Sequence, residues 1–369
     1  MSRTETPGDR RNDDGPRSRD QANAEAERQR RDGGPLERSL RWVDDAQARF
    51  PVTSFPVAVV KKFGDDDAGK LAALVAYYGF FSIFPLMLAL TTILGFVLGN
   101  NEQLRDSIRD SALQQFPVIG GQLKQESLDG SWFALTIGLF GALWAGLGVV
   151  NAAQSAMNAV WDVPKVDRPN ILKRTLRGLL MLVVAAALLV LSGFLSGVGQ
   201  AGSGVSPAQA ASILASVIVN LVLFASAFRI LTEADVSWRD VAPGAALAAL
   251  AWTLLLLIGQ WFVRTRIQGA EDTYGAFAVV IGLLSWLYLA SQITLFTAEV
   301  NVVLKKGLWP RSITHLRLRE ADERSFAEQA KEQERTPRQD ITVGYDRRAR
   351  GGPLRPGSGH VRPGEPTGR

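Results

Sequence analysis

Cysteine is absent from this chain of 369 residues. That excludes disulfides, thiolate zinc sites and cysteine-held iron–sulfur clusters. Histidine is nearly absent: His315 and His360 are the two present, both in the polar C-terminal stretch. The apolar middle has no imidazole, so chemistry that relies on His or Cys has no residues there. No G-x-x-x-x-G-K-[ST] signature occurs, and direct ATP use is not expected. The N-terminus "MSRTETPGDRRNDDGPRSRD" lacks the apolar core of a secretory signal.

Charge is missing selectively. Of the 77 acidic and basic residues, 25 fall between Leu71 and Val302, and the other 52 lie in the first 70 and last 67 residues. A polar head and a polar tail therefore flank an apolar middle, which the averages of 47% hydrophobic and 21% charged conceal.

What is present is long hydrophobic runs. Leu71 to Gly99 has no charge over 29 residues, more than the roughly 20 needed to cross a bilayer as a helix. Further uncharged stretches cover about 132–161, 178–200, 207–228, 241–263 and 273–298. The reading is an all-α polytopic membrane protein with six transmembrane helices. Its orientation follows from the connections. Lys61, Lys62 and Lys70 precede the first span, and "DVPKVDRPNILKRTLRG" after the second has five basic residues. Arg229 and Arg239 follow the fourth, and Lys305, Lys306, Arg311, Arg317 and Arg319 follow the sixth. The positive-inside rule places both termini in the cytoplasm, with the fifth connection (Arg264, Arg266) an ambiguous vote. Small residues in "GLFGALWAGLG", and Gly193 and Gly197 in the third span, suit close helix packing.

The expected organisation has four parts. Residues 1–34, with eight basic and eight acidic residues, read as a disordered cytoplasmic tail. Residues 35–70 read as an amphipathic segment, with Leu36, Leu40, Val43 and Phe50 at helical spacing. It suits either the membrane surface or the cytoplasmic loops. Residues 71–308 form the six-helix domain. Residues 309–369 form a second cytoplasmic tail, helical through "LREADERSFAEQAKEQER" and then disordered. Its six arginines from Gly344 onward suit weak contact with anionic phospholipid, or simple solvation. Between the first two spans, Leu104, Ile108 and Phe116 mark a surface helix.

Polar residues inside the spans are the site candidates, because ionisable groups at membrane depth are costly. Glu299 lies six residues before Lys305, about 9 Å along the helix, where it suits either a functional role or a pairing with lysine at the interface. Arg229, Tyr77, Tyr78, Asn158 and Asn301 fall at similar depth, and would line a cytoplasm-facing cavity if they faced inward. The alternative for the tyrosines is an interfacial aromatic belt. Pro85 is expected to kink the first span, with Ser82 a candidate partner for the freed carbonyl.

At these residues the chain resembles the YihY/virulence factor BrkB family of inner-membrane proteins, formerly labelled ribonuclease BN. The resemblance rests on "AALVAYYGFFSIFPL", "MNAVWDV", "VSWRDVAPGAALAALAW" and "YGAFAVVIGLLSWLYLASQITLFTAEVNVV", within about 60–308. By motif match the recurrent positions are Tyr77, Tyr78, Ser82, Pro85, Asn158, Trp161, Gly244, Tyr274, Gly275, Trp286, Tyr288, Glu299 and Asn301. "FTAEVN" departs from the family, which often has Gly before Ala-Glu. The resemblance implies membrane lipids as partners and, for some members, movement of lipid precursors.

The function expected is a transporter or flippase-like protein acting on a lipid or small anionic solute. Arg229 would contact the anion, and Glu299 would serve as a gate or a cation or proton partner. The alternative is a non-transporting scaffold working through its tails. A ribonuclease ranks last, since "GDDDAGK" is the one dense acidic run and reads as a polar helix start. No enzyme activity, cofactor, metal or nucleic-acid partner is expected.

Overall fold

The computed structural model describes residues 44, 47, 49–97, 132–199, 207–262, 276–313 and 318–345. Every regular element among them is helical: α1 (Pro51–Asp65), α2 (Ala68–Val97), α3 (Trp132–Val160), α4 (Ile171–Gly199), α5 (Pro207–Ile230), α6 (Trp238–Phe262), α7 (Ala276–Lys306) and α8 (Glu320–Glu332). Five stretches are long and apolar enough to cross a membrane, in α2, α3, α4, α6 and α7; Leu214–Ile230 of α5 is a shorter apolar stretch.

Local chemistry sets the boundaries. Phe50 is extended, and Pro51 follows in the first turn of α1, where its missing N–H costs nothing. Asp67 turns the chain into α2 with a left-handed φ of 53°. A left-handed Asp162, φ 52°, ends α3. Asp is among the few non-glycine residues that tolerate this region.

Two helices exceed their expected spans. α4 begins at Ile171, so Lys173, Arg174 and Arg177 occupy its first two turns rather than a loop. α7 runs on through Glu299 to Lys306. Charge-free stretches mark where lipid can touch a helix, whereas the backbone ladder continues past the first charge. α1 also went unrecognised as a helix of its own. Leu36, Leu40, Val43, Leu104, Ile108 and Phe116 lie outside the described residues. The helix α2 passes through Pro85 as one element. Ser82 Oγ donates to Gly79 O at 2.7 Å, not to the Phe81 carbonyl that Pro85 frees.

The helices α2 to α7 form a closed ring in chain order, α7 packing back on α2, with α3 touching α7 across it. The helix α1 lies against α2 and α7. Small residues permit this closeness. A Cβ on Gly138 would stand 3.0 Å from the Ala89 backbone, and one on Gly244 would stand 2.2 Å from Thr297 O. The core gathers Ala68, Ala72, Ala156, Val160, Phe228, Val241, Ala245, Leu295, Ala298 and Val302, toward the end of the ring that α1 covers. Phe140, Trp144, Val190 and Ile281 point outward, Trp144 82% exposed. Such a belt suits hydrocarbon and not water.

Beyond α7 the chain straps across that same end. Arg311 Nη2 bonds Asp65 at 2.6 Å and its Nε bonds Asp322 at 3.0 Å. Lys61 Nζ reaches Asp322 at 2.9 Å. The backbone N–H groups of Lys165 and Val166 donate to Glu332 O and Glu334 O at 3.0 and 2.9 Å. Asp44 accepts from Ser312 Oγ at 3.1 Å. Lys173 reaches Glu233 at 3.2 Å, and Lys305 reaches Asp240 at 2.6 Å. Thus α1, the α3–α4 and α5–α6 connections and α8 share one end of the ring.

A buried charge cluster as candidate functional site

The cluster is built where α1, α3 and α7 meet. The C-terminus of α3 exposes carbonyls with no helical partner. Lysines from two other elements cap them: Lys62 Nζ donates to Val160 O at 3.2 Å, and Lys306 Nζ to Trp161 O at 2.9 Å. Cations are favoured at this end of a helix dipole. The left-handed turn at Asp162 brings its carboxylate to the same two lysines, 3.1 Å from Lys62 and 3.0 Å from Lys306. Lys62 also pairs with Asp66 one turn on. From α8, Gln329 Nε2 donates to Asp66 at 2.6 Å and Glu328 meets Lys306 at 2.6 Å.

Glu299 faces this cluster from α7. It is fully buried, 0% exposed, and neither carboxyl oxygen accepts a bond from a donor. The Asp66 carboxyl stands within hydrogen-bonding reach, with Lys62 and Asp162 close enough for their charges to be felt. Burial pulls the Lys62 ammonium toward neutrality, but Glu299, Asp162 and Asp66 together hold it above the usual lysine range. For Asp66, burial dominates and lifts the carboxyl above its usual range, against the pull of Lys62.

The other expected site residues do not converge on one cavity. Asn301 is buried beside Glu299 in sequence, and its Oδ1 accepts from Gly244 N at 2.6 Å. It ties α7 to α6. Asn158 is buried, and its Oδ1 accepts from Glu233 N at 2.8 Å. It fixes the α5–α6 connection to α3. Arg229 donates to Val236 O at 2.9 Å and lies 5.0 Å over the Trp238 ring. It braces the α5–α6 corner. Tyr77 and Tyr78 are exposed, 55% and 41%; Tyr77 packs against Phe81 and edge-on against Tyr78 along α2. Their exposure fits the aromatic-belt alternative and not the lining of an enclosed cavity, although Tyr78 packs in part over Gly148 of α3.

Sequence reasoning missed Lys62, Asp66, Asp162 and Lys306. One signal was available. Lys61–Lys62 precede Asp65–Asp66 by four residues, the spacing at which opposite charges pair on a helix face. Asp162, by contrast, reaches the lysines only through the left-handed turn that ends α3. Among the described residues, no three His, Asp or Glu side chains are placed to hold a metal ion.

The sequence profile of the family described as virulence factor BrkB matches residues 59–317. Curated relatives agree in kind. The ribonuclease-like protein YfkH of Bacillus subtilis is 24% identical over 69% of this chain and 96% of its own length. Inner membrane protein YhjD of Escherichia coli is 23% identical over 68% of this chain and 80% of its own. A UPF0761 membrane protein of Stenotrophomonas maltophilia is 27% identical over 72% of this chain, and the chain spans 64% of that relative's length. No solved structure matches the chain.

Proposed function

The chain belongs to the virulence factor BrkB family of integral membrane proteins, and from that premise we propose that it is a transporter or flippase-like protein of the inner membrane. It takes a lipid or small anionic solute from the cytoplasmic face. The observation that carries this reading is Glu299: an acid wholly enclosed in a spanning helix, with no donor on either oxygen. A static anchor gains nothing from such a group, which costs several kcal/mol to bury.

Six crossings are the count we favour. The helix α5 has 24 residues in all, about 36 Å at 1.5 Å per residue, sufficient for a bilayer. The ion pairs Arg311–Asp65 and Lys61–Asp322 join the segments before α2 and after α7 at one end, which supports an even number of crossings. That end holds Lys61, Lys62, Lys165, Arg168, Lys173, Arg177, Lys305 and Lys306, which by the positive-inside rule supports a cytoplasmic side for it and for both termini. Membrane lipids are the surrounding partners. Anionic phospholipid at the arginine-rich C-terminal tail remains part of the proposal.

The scaffold reading is weaker. The C-terminal segment spends buried Arg311, Ser312 and Asp322 on its own core, which makes α8 a strap and not a free handle. The ribonuclease reading has little to use. Asp65 serves Arg311, Asp66 serves Lys62 and Asp67 serves Lys70.

The test is flux. Full-length protein in vesicles carrying fluorescently tagged phosphatidylglycerol is challenged with a membrane-impermeant bleach. Bleaching beyond the outer leaflet in the parent, lost in Glu299→Gln at equal incorporation, is expected. A tagged anionic solute forms the second arm. Parent flux equal to that of empty vesicles for both probes refutes transport of these classes, and equal flux in Glu299→Gln removes Glu299 from the mechanism.

A further inference from the structure

We propose that Glu299 and Asp66 form a carboxyl pair that binds one proton between them, and that this proton is the ion whose binding and release is coupled to transport. The second half rests on the transport reading above; the first half rests on a buried carboxyl with no donor beside a buried charge cluster.

The charge inventory motivates it. Near Glu299 stand Lys62 from α1, Asp66 from the α1–α2 turn and Asp162 from the end of α3; Lys306 reaches Asp162 from the partly exposed rim. From α8, Gln329 contributes a neutral donor to Asp66, and Glu328 pairs with the outer side of Lys306. Asp240 on α6 is engaged by Lys305 away from the cluster. One enclosed ammonium, Lys62, and one at the rim, Lys306, which Glu328 shares, therefore face three buried carboxylates. Full ionisation leaves one uncompensated negative charge where water is excluded, a costly arrangement.

Hydrogen bonding says where the compensation sits. Asp162 has both lysines. Asp66 has Lys62 and Gln329. Glu299 has no donor at all, yet the Asp66 carboxyl is within hydrogen-bonding reach of it. Two carboxylates repel each other; one proton turns the contact into an O–H···O⁻ bond, among the stronger hydrogen bonds in proteins. The same proton cancels the excess charge. Desolvation lifts Asp66 above its usual range, as a shared proton requires. The pair titrates as a unit.

Release needs no redox partner. The proton leaves for water through the α1–α2 turn, where Asp67 and Lys70 are exposed. Its loss restores the like-charge contact between α7 and the turn leading into α2. Repulsion between ring neighbours is a differential interaction of the kind that can shift a two-state equilibrium.

Infrared difference spectroscopy of the full chain in lipid nanodiscs tests the pair. A protonated-carboxyl stretch is expected to persist well above pH ~4.3, the ordinary glutamate value. Glu299→Gln should abolish it, and so should Asp66→Asn, with about one proton fewer bound per chain in a pH titration. Thermal melting checks that each variant is folded. Absence of the band in the parent, or its survival in Glu299→Gln, overturns the site. Stabilisation by sodium without a carboxyl band overturns it in favour of a metal cation. Should the band behave as expected while neither tagged phosphatidylglycerol nor anionic solute moves, the coupling claim falls with the transport reading and the proton site stands. Flux that depends on Glu299 but ignores an imposed pH gradient overturns the coupling alone.

Discussion

Lys62→Met is the perturbation with the clearest consequence. Lys62 is fully enclosed and holds Asp66, Asp162 and the Val160 carbonyl. Methionine keeps much of the length and removes the charge. The carboxylates then lose their shared counter-ion, and Lys306, already on Asp162 and Glu328, is the remaining ammonium. Removing one partner of a buried ion pair costs about 3–5 kcal/mol. At about 1.36 kcal/mol per decade, the ratio of folded to unfolded protein falls by more than about a hundredfold. Thermal inactivation in detergent, followed by size-exclusion of the heated protein, reads the loss. The direction with pH is fixed by the lifted ammonium. Its native pKa lies above the ordinary value near 10.5, so its stabilisation is complete below that value and is lost as pH rises through the native one. In Lys62→Met the defect should shrink on mild acidification, as carboxyls protonate. Adding Asp162→Asn should recover part of it, because the pair's effects are not additive. A Lys62→Met protein as stable as the parent at neutral pH would refute the cluster as a network of ionised groups.

Three further outcomes are expected. Gly244→Val should separate α6 from α7, since even a Cβ there would meet Thr297 O at 2.2 Å and Asn301 Nδ2 at 2.4 Å; a melting temperature unchanged from the parent would refute the close approach. Asp322 accepts from Lys61, Arg311 and the backbone of Ser312 and Arg319. Burial would raise its carboxyl, but these donors outweigh burial and hold it below its ordinary 3.8. Its strap should therefore be intact above that pH and loosen as pH falls through the native value, and Asp322→Asn should speed hydrogen exchange in α8 at neutral pH; unchanged exchange would count against the strap. The absence of cysteine allows single introductions. Lys165→Cys should label only after cells are permeabilised, and labelling from outside intact cells would invert the topology.

The helices were legible because each span is a long charge-free run, and hydrocarbon demands such runs. Their ends were not, because Glu299 and Lys173 sit within the backbone ladder although charge disqualifies them from lipid. Facing was not legible, and depth only coarsely. Gly79 of α2 stands beside Leu287 of α7, about three turns from Glu299, so Tyr77 and Tyr78 do not share its level, and both are exposed. Spacing along one chain gives height, and the angular position depends on which neighbour a helix packs against. For α2 that is decided by glycines on α3, such as Gly138 against Ala89.

Glu299 was found and its company was not. A lone acid in a span is visible because everything around it is apolar. Lys62, Asp66 and Asp162 lie in charge-rich connections, where any one of them looks like a solvated loop residue. What distinguishes them is the strap: α8 closes over the α1–α2 turn, Gln329 meets Asp66 and Glu328 meets Lys306. Burial of those charges is a property of chain segments more than 250 residues apart meeting, as in the Asp66–Gln329 bond. The strap also keeps solvent from a cluster whose ionisation depends on being dry. Weakening α8 should then alter the proton affinity of Glu299 and Asp66 without touching either residue. Gln329→Ala should shift the carboxyl stretch toward higher titration pH, because it removes the neutral donor that favours ionised Asp66. A titration unmoved by Gln329→Ala would detach the strap from the proton site.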